Sequence, residues 1–230
     1  VRIRGPAAQL IQVPFMEDWY WACGERLVFK EPPESIAPDS PRIVLSLPSG
    51  PADRYETCAL YFLDAIHSAR TRFWIASPYF VPDEQIVSAL KLAALRGVDV
   101  RVVVPDDCDQ FLVNLSGWSF VEPLESAGVQ VFRYTEGFLH HKIMLVDGYR
   151  SAVGSANFDN RSFRLNFEMT VEIQDAAFAG EVEALFMEDF ARSRLASAKE
   201  LRSRSIIFGR AVRGASLMAP FQYLRVIRKR

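Results

Sequence analysis

Two of the chain's three histidines are adjacent, His140 and His141, and Lys142 follows them. His140 and Lys142 are two residues apart, so on an extended strand their side chains leave one face while His141 points to the other. An imidazole beside a fixed ammonium suits a phosphoryl centre. Lysine offsets the charge on non-bridging oxygens, and a neutral histidine attacks phosphorus or shuttles a proton near pH 7. Further along, Ser155 and Asn157 share parity on a second short strand, and Gly154 allows close backbone approach. Both side chains can donate hydrogen bonds to phosphate oxygens. Asp147 has odd parity to His140 and sits beside Gly148 in a turn, so the residue pattern makes it a structural hydrogen-bonding group. A metal site on His140, His141 and Asp147 is disfavoured, because Lys142 would repel the cation and strand parity splits the ligands. His141 and the mid-helix His67 read as structural.

These groups need two short strands held side by side. His140–Val146 and Ser151–Ala156 fit a hairpin around Asp147-Gly148. Upstream, a strand near Arg42–Leu47, a helix over about Ala52–Arg70 and a strand Arg72–Ser77 follow one another. A helix Asp83–Arg96, capped by Asp83, leads to a strand Val98–Val104, a helix near Gln110–Ser126 and a strand Val129–Tyr134. That βαβαβ rhythm predicts a mostly parallel sheet covered by helices. Phe167–Gln174 adds a strand, and Phe178, Val182, Leu185, Phe186 and Phe190 mark the apolar face of a helix. Residues 1–27 have roughly helical spacing, and Pro32, Pro33, Pro38 and Pro41 mark 28–41 as a linker. With the hairpin included, the expected class is α/β, a mixed β-sheet between helical layers. Phe73, Trp74, Tyr79 and Phe80 read as core and pocket wall rather than a base-stacking platform.

His140-x-Lys142, four residues, Asp147, six residues, then Gly154-Ser155-x-Asn157 resembles the HKD motif of the phospholipase D superfamily. The flanks FDNRSFRLNFE, SPYFVPDE, ALRGVDVRVVVP and GPAAQLIQVPFMEDW resemble bacterial-type cardiolipin synthases, from about Val1 to Arg194. The resemblance implies a phospholipase D-like domain and a metal-independent phosphatidyl transfer without cofactor. Two phosphatidylglycerols would give cardiolipin and glycerol through a phosphohistidine. It assigns catalytic roles to His140, Lys142, Asp147 and Glu168, with His140 as the acid/base and Glu168 orienting the histidine. Lys142 and Asn157 would bind the substrate phosphate, supported by Ser155.

In that family a stretch like the N-terminal one follows a first HKD motif, so the chain resembles the C-terminal half of a two-motif enzyme. Residues 1–41 would then close a preceding half and link it to an HKD domain at 42–198, followed by a basic tail at 199–230. The implied partners are an anionic phospholipid (phosphatidylglycerol), a membrane surface, and either the missing N-terminal half or a second copy of the chain. The implied location is the bacterial cytoplasmic membrane, with spans in the missing N-terminal part. A phospholipase D or phosphodiesterase hydrolase and a single-motif homodimeric nuclease are the alternatives.

Composition narrows these. Half of the 230 residues are apolar and 24% are charged, which excludes disorder, collagen and disulfide-rich mini-proteins. Cys23, Cys58 and Cys108 are scattered, without a CxxC pair, so a disulfide framework is not expected and a reducing compartment is the default. No run of 18 uncharged apolar residues exists to span a bilayer. The net charge of −1 conceals an asymmetry: residues 191–230 hold eleven Lys or Arg against Glu200 alone, leaving residues 1–190 at −11. An acidic body argues against nucleic acid as partner. Residues 206–224, apolar but interrupted by Arg210 and Arg213, fit an interfacial segment on anionic lipid.

Overall fold

The structure, a computed structural model, describes residues 1–29, 42–203 and 206–218. Helix α1 (Pro6–Cys23) starts on Pro6, whose missing N–H costs nothing in a first turn. It ends on Gly24 in the left-handed region (φ 73°), with the Gly24 N–H donating to the Tyr20 carbonyl. Most of the expected linker, 30–41, lies outside the described residues. Strand β1 (Ile43–Ser49) leads to α2 (Thr57–Ser68), which starts later than the predicted residue 52. The intervening chain is a turn in which Gly50 and Asp53 hydrogen-bond each other. After β2 (Arg72–Ala76) and the two-residue β3 (Phe80–Val81) comes α3 (Glu84–Leu95). Asp83 caps α3 by accepting the Ile86 N–H at 3.0 Å, a contact worth about 1 kcal/mol.

Strand β4 (Asp99–Pro105) is followed by two helices, α4 (Phe111–Trp118) and α5 (Val121–Glu125), where one was expected. Pro123 is the cause. Its ring and missing N–H are tolerated only in a first turn, so a new helix begins at Val121. Then come β5 (Gln130–Tyr134), β6 (Ile143–Val146), β7 (Arg150–Gly154), β8 (Phe158–Asp159), α6 (Asn160–Arg164) and β9 (Glu168–Gln174). Helix α7 (Ala176–Ala191), β10 (Ser193–Leu195), α8 (Ala198–Ser203) and α9 (Ile206–Met218) complete the described chain.

The main sheet runs β1-β9-β7-β6-β2-β4-β5-β10. Only β2, β4 and β5 are parallel, and every other neighbouring pair is antiparallel. The mixed sheet is therefore as expected, whereas the mostly parallel one is not. The first strand–helix–strand unit does not place its strands side by side, because β1 pairs with β9 at the sheet's edge.

Strand alternation sends side chains to two helical layers. Phe73, Ile75, Met144 and Val146 pack with α2, α3, α5 and α6 on one face. Trp74, Ala76, Ile143 and Leu145 pack with Ala179, Val182 and Phe186 of α7 on the other. Phe186 is fully buried and meets the Trp74 ring edge-on at 5.8 Å, a burial worth about 2–3 kcal/mol. Leu185, expected on that buried face, is exposed instead. Helix α9 also belongs to the packed body: Val212 and Ala215 are buried and Phe208 meets Trp118. Residues 206–218 of the basic tail are thus a helix laid on α4, with Arg210 and Leu217 outward.

Candidate functional site

The hairpin that carries the chemistry is shorter than the sequence pattern suggested. Strand β2 ends at Ala76, opposite Ile143, so residues 140–142 have no β2 partner and precede the ladder. Pairing continues one step through the Gly154 N–H, which donates to the Lys142 carbonyl at 3.1 Å. Likewise β7 ends at Gly154, and Ser155 and Asn157 lie just past it. The two groups of polar residues therefore emerge together at one end of the hairpin.

Alternation holds through this lead-in. The His141 ring turns to α7, where Nε2 meets the buried carboxylate of Asp189 at 2.9 Å. His140 and Lys142 face the other way. The Lys142 ammonium donates to the His140 carbonyl at 2.9 Å and lies 3.4 Å from each imidazole nitrogen. It sits beside the ring, equally far from the two nitrogens. Phe138 and Tyr79 flank the exposed His140 ring, at centroid distances of 5.3 and 6.5 Å, and the Tyr79 hydroxyl is anchored on Asp109. Burial pushes the Lys142 ammonium below its usual range, against the pull of the nearby carboxylates Glu168 and Asp159.

Glu168, at the start of β9, is buried. Its carboxylate accepts from the Ser155 hydroxyl, from the Ser162 hydroxyl at 2.7 Å and from the Asn166 amide at 3.0 Å. Ser155 in turn accepts the Met169 N–H. Glu168 thus holds serine and asparagine side chains, and none of these three bonds is to the His140 ring. Asn157 is fixed through its backbone N–H, which donates to Ser162 Oγ at 3.0 Å, while its Oδ1 is buried without a partner among the described residues. Gly154 is as tightly placed as its motif position suggested. A Cβ there would stand 2.5 Å from the Met169 carbonyl oxygen.

Asp147 is the residue that the structure does not bring to this cluster. It occupies the turn at the other end of β6, in the left-handed region (φ 53°). Its carboxylate accepts the backbone N–H groups of Arg70, Thr71 and Arg72 and the Thr71 hydroxyl. Grouping it with the catalytic residues is therefore corrected by geometry, and parity had already pointed to a structural role.

Residues 62–190 match the family model described as cardiolipin synthase, PLD-like domain, which covers more than half of the chain. The chain belongs to this family. It is 48% identical over 224 residues to cardiolipin synthase A of Pseudomonas entomophila, covering 96% of this chain and 46% of that protein. To cardiolipin synthase A of Pseudomonas putida it is 47% identical over 220 residues, again covering 96% and 46%. The chain thus spans about half the length of the relatives it matches. Among solved structures it resembles the phospholipase D family member Nuc from Salmonella typhimurium (TM-score 0.60, 21% identity), over 69% of this chain and all of that one. A phosphatidylserine synthase from Haemophilus influenzae gives a TM-score of 0.59 at 15% identity, over 80% of this chain and 46% of that one. Both likenesses establish the fold.

Sequence reasoning passed over two residues of this PLD-like domain. Asp159 and Ser162 lie buried behind the polar cluster. The Asp159 carboxylate caps α6 by accepting the Ser162 N–H at 2.9 Å, and burial raises its pKa against that bond. The signal was present as an Asp-x-x-Ser helix start within FDNRSFRLNFE. Among the described residues, no group of three or more His, Cys, Asp or Glu is arranged to hold a metal ion. Among the same residues, no helix is long and apolar enough to cross a membrane. Beside Ser155 and Glu168 a cleft of about 650 Å³ opens between α1 and the β1–β9 edge, walled by Phe15, Trp21, Phe167 and Met169.

Proposed function

We propose that this chain supplies one half of a phosphatidyltransferase site that joins two phosphatidylglycerols into cardiolipin and releases glycerol. The observation that carries the proposal is the placement of the Lys142 ammonium 3.4 Å from the His140 imidazole nitrogens at the hairpin end, in a family whose relatives are cardiolipin synthases. In the first step a histidine nitrogen attacks phosphorus, forming a P–N bond as the P–O bond to the leaving glycerol breaks. The other histidine gives that alkoxide its proton. In the second step the hydroxyl of the incoming phosphatidylglycerol loses its proton to the same base and attacks phosphorus. The P–O bond forms, the P–N bond breaks, and both histidines return to their starting states.

We assign the acid/base role to His140. Lys142 offsets the charge on the non-bridging oxygens, Asn157 donates to them, and Ser155, held by Glu168, supports the phosphate. One chain holds one such histidine, so the second comes from an N-terminal half of the complete protein or, failing that, from a second copy. The cleft between α1 and the β1–β9 edge has the volume of a small-molecule site and suits the apolar part of a lipid at a membrane surface.

The test is His140→Ala in the complete protein, with products read by lipid mass spectrometry. Cardiolipin formation should disappear, and its survival would refute the assignment. Phosphatidic acid as the sole product, even with glycerol added, would move the reaction to the hydrolase class. Light scattering decides between the two sources of the second histidine, since a stable dimer of this chain alone counts against a separate half.

A further inference from the structure

We propose that Ser162 is a positioning residue for the phosphate site, tying the backbone of Asn157 to the carboxylate that holds Ser155. The inference rests on the reading of this site as one for a phosphodiester. Ser162 is 1% exposed and stands outside the motif. Its hydroxyl makes two bonds of opposite sense, accepting the Asn157 N–H at 3.0 Å and donating to Glu168 Oε1 at 2.7 Å. The other Glu168 oxygen accepts the Ser155 hydroxyl. A continuous chain of bonds therefore runs from Asn157 through Ser162 and Glu168 to Ser155, joining the segment after β7 to the start of β9.

Ser162 is itself fixed at the first turn of α6, where its N–H is held by Asp159. Ser155 touches Glu168 and Met169 directly, but among the described residues only the Ser162 hydroxyl ties the Asn157 backbone to Glu168. Removing it leaves the Asn157 N–H without its acceptor and Glu168 Oε1 with Asn166 alone, so the two phosphate donors lose their common reference. A displacement of about 1 Å at a reacting centre costs on the order of a hundredfold in rate.

Ser162→Ala in the complete protein should lower kcat ten- to a hundredfold with KM within about threefold, and Ser162→Thr, which keeps the hydroxyl, should recover most of it. Ser116→Ala is the matched control. Ser116 is an equally buried serine whose hydroxyl, among the described residues, bonds only the Leu112 carbonyl within α4. It should lose comparable thermal stability and keep kcat. A Ser162→Ala enzyme within threefold of wild type, or a loss that Ser116→Ala matches at equal Tm, overturns the proposal. The same series run on bis-p-nitrophenyl phosphate separates the two claims. A wild type that cleaves this diester but forms no cardiolipin removes the lipid reading and leaves Ser162 to be judged on the diester. A wild type inert to both overturns both.

Discussion

The β6–β7 hairpin has two ends built from the same motif, and they are built for different purposes. At the open end, His140, Lys142, Ser155 and Asn157 leave the ladder with polar atoms not consumed by secondary structure. At the turn end, Asp147 spends its carboxylate on three backbone N–H groups of the segment entering β2. Next to it Arg150 joins Glu172 and Asp64, and Tyr61 donates to Glu172 at 2.8 Å. Four strand residues, Ile143–Val146, separate the two ends. The fixed interval between Lys142 and Asp147 is thus the length of one buried strand, and motif spacing here records architecture rather than contact.

The largest expected difference between the ends is in rate. His140→Ala should lower turnover about a thousandfold or more, as for loss of a proton-transferring or nucleophilic histidine, with Tm unchanged. Lys142→Ala should follow at about a hundredfold, the scale of one lost charge-stabilising donor. Its stability should hold or rise, because burial already works against the Lys142 charge. Steady-state kinetics beside thermal melts check both. If either variant unfolded the domain, the open end would be scaffold as well and the contrast would fail.

Gly154→Ala probes the join between the ends. The new methyl would meet the Met169 carbonyl oxygen at 2.5 Å and Thr170 Cα at 2.9 Å, both backbone, so β7 and β9 must separate. A cost of about 3 kcal/mol in urea unfolding is expected, at the upper range for overpacking. Activity should fall with it, since Ser155 is the next residue.

Much of this was legible from residue order alone. Period-two alternation over 140–146 placed His140 and Lys142 on one face and His141 on the other, and the Asp83 cap fixed the start of α3. Local patterns carry that much because they depend on neighbours. The pairing of β1 with β9 joins residues more than 100 positions apart, and no period reports it. The Asn157–Ser162–Glu168–Ser155 chain was equally silent, since its members meet only after β9 returns to β7. Asp147 shows the opposite failure. Its parity gave the structural role correctly, whereas the family resemblance grouped it with residues a strand's length away.

Asp147→Ala then separates stability from chemistry at the turn end. It leaves the N–H groups of Arg70, Thr71 and Arg72 without their charged acceptor, and about 2 kcal/mol of stability should go with it. The folded fraction should keep its turnover within about threefold. A loss of kcat without a loss of stability would return Asp147 to the catalytic group.

The smallest effect is one of pH. Burial alone would raise the Asp147 carboxyl, but hydrogen bonds from the N–H groups of Thr71 and Arg72, the Thr71 hydroxyl and the Arg70 N–H outweigh it and hold the pKa below the usual carboxylate range. The folded state therefore prefers the charged form. The stability this contributes is complete above the unfolded value of about 4 and is lost as pH falls through the lower folded value. Solvent screens so open a group, so Asp147→Asn should flatten the acid limb of the stability curve by less than about 1 kcal/mol. Hydrogen exchange localises the change: relative to intrinsic rates, the amides of Arg70–Arg72 should gain exposure in the variant while that of Asn157 does not. Equal gains at both ends would mean that the hairpin opens as one unit, and the separation of scaffold from site along its length would be lost.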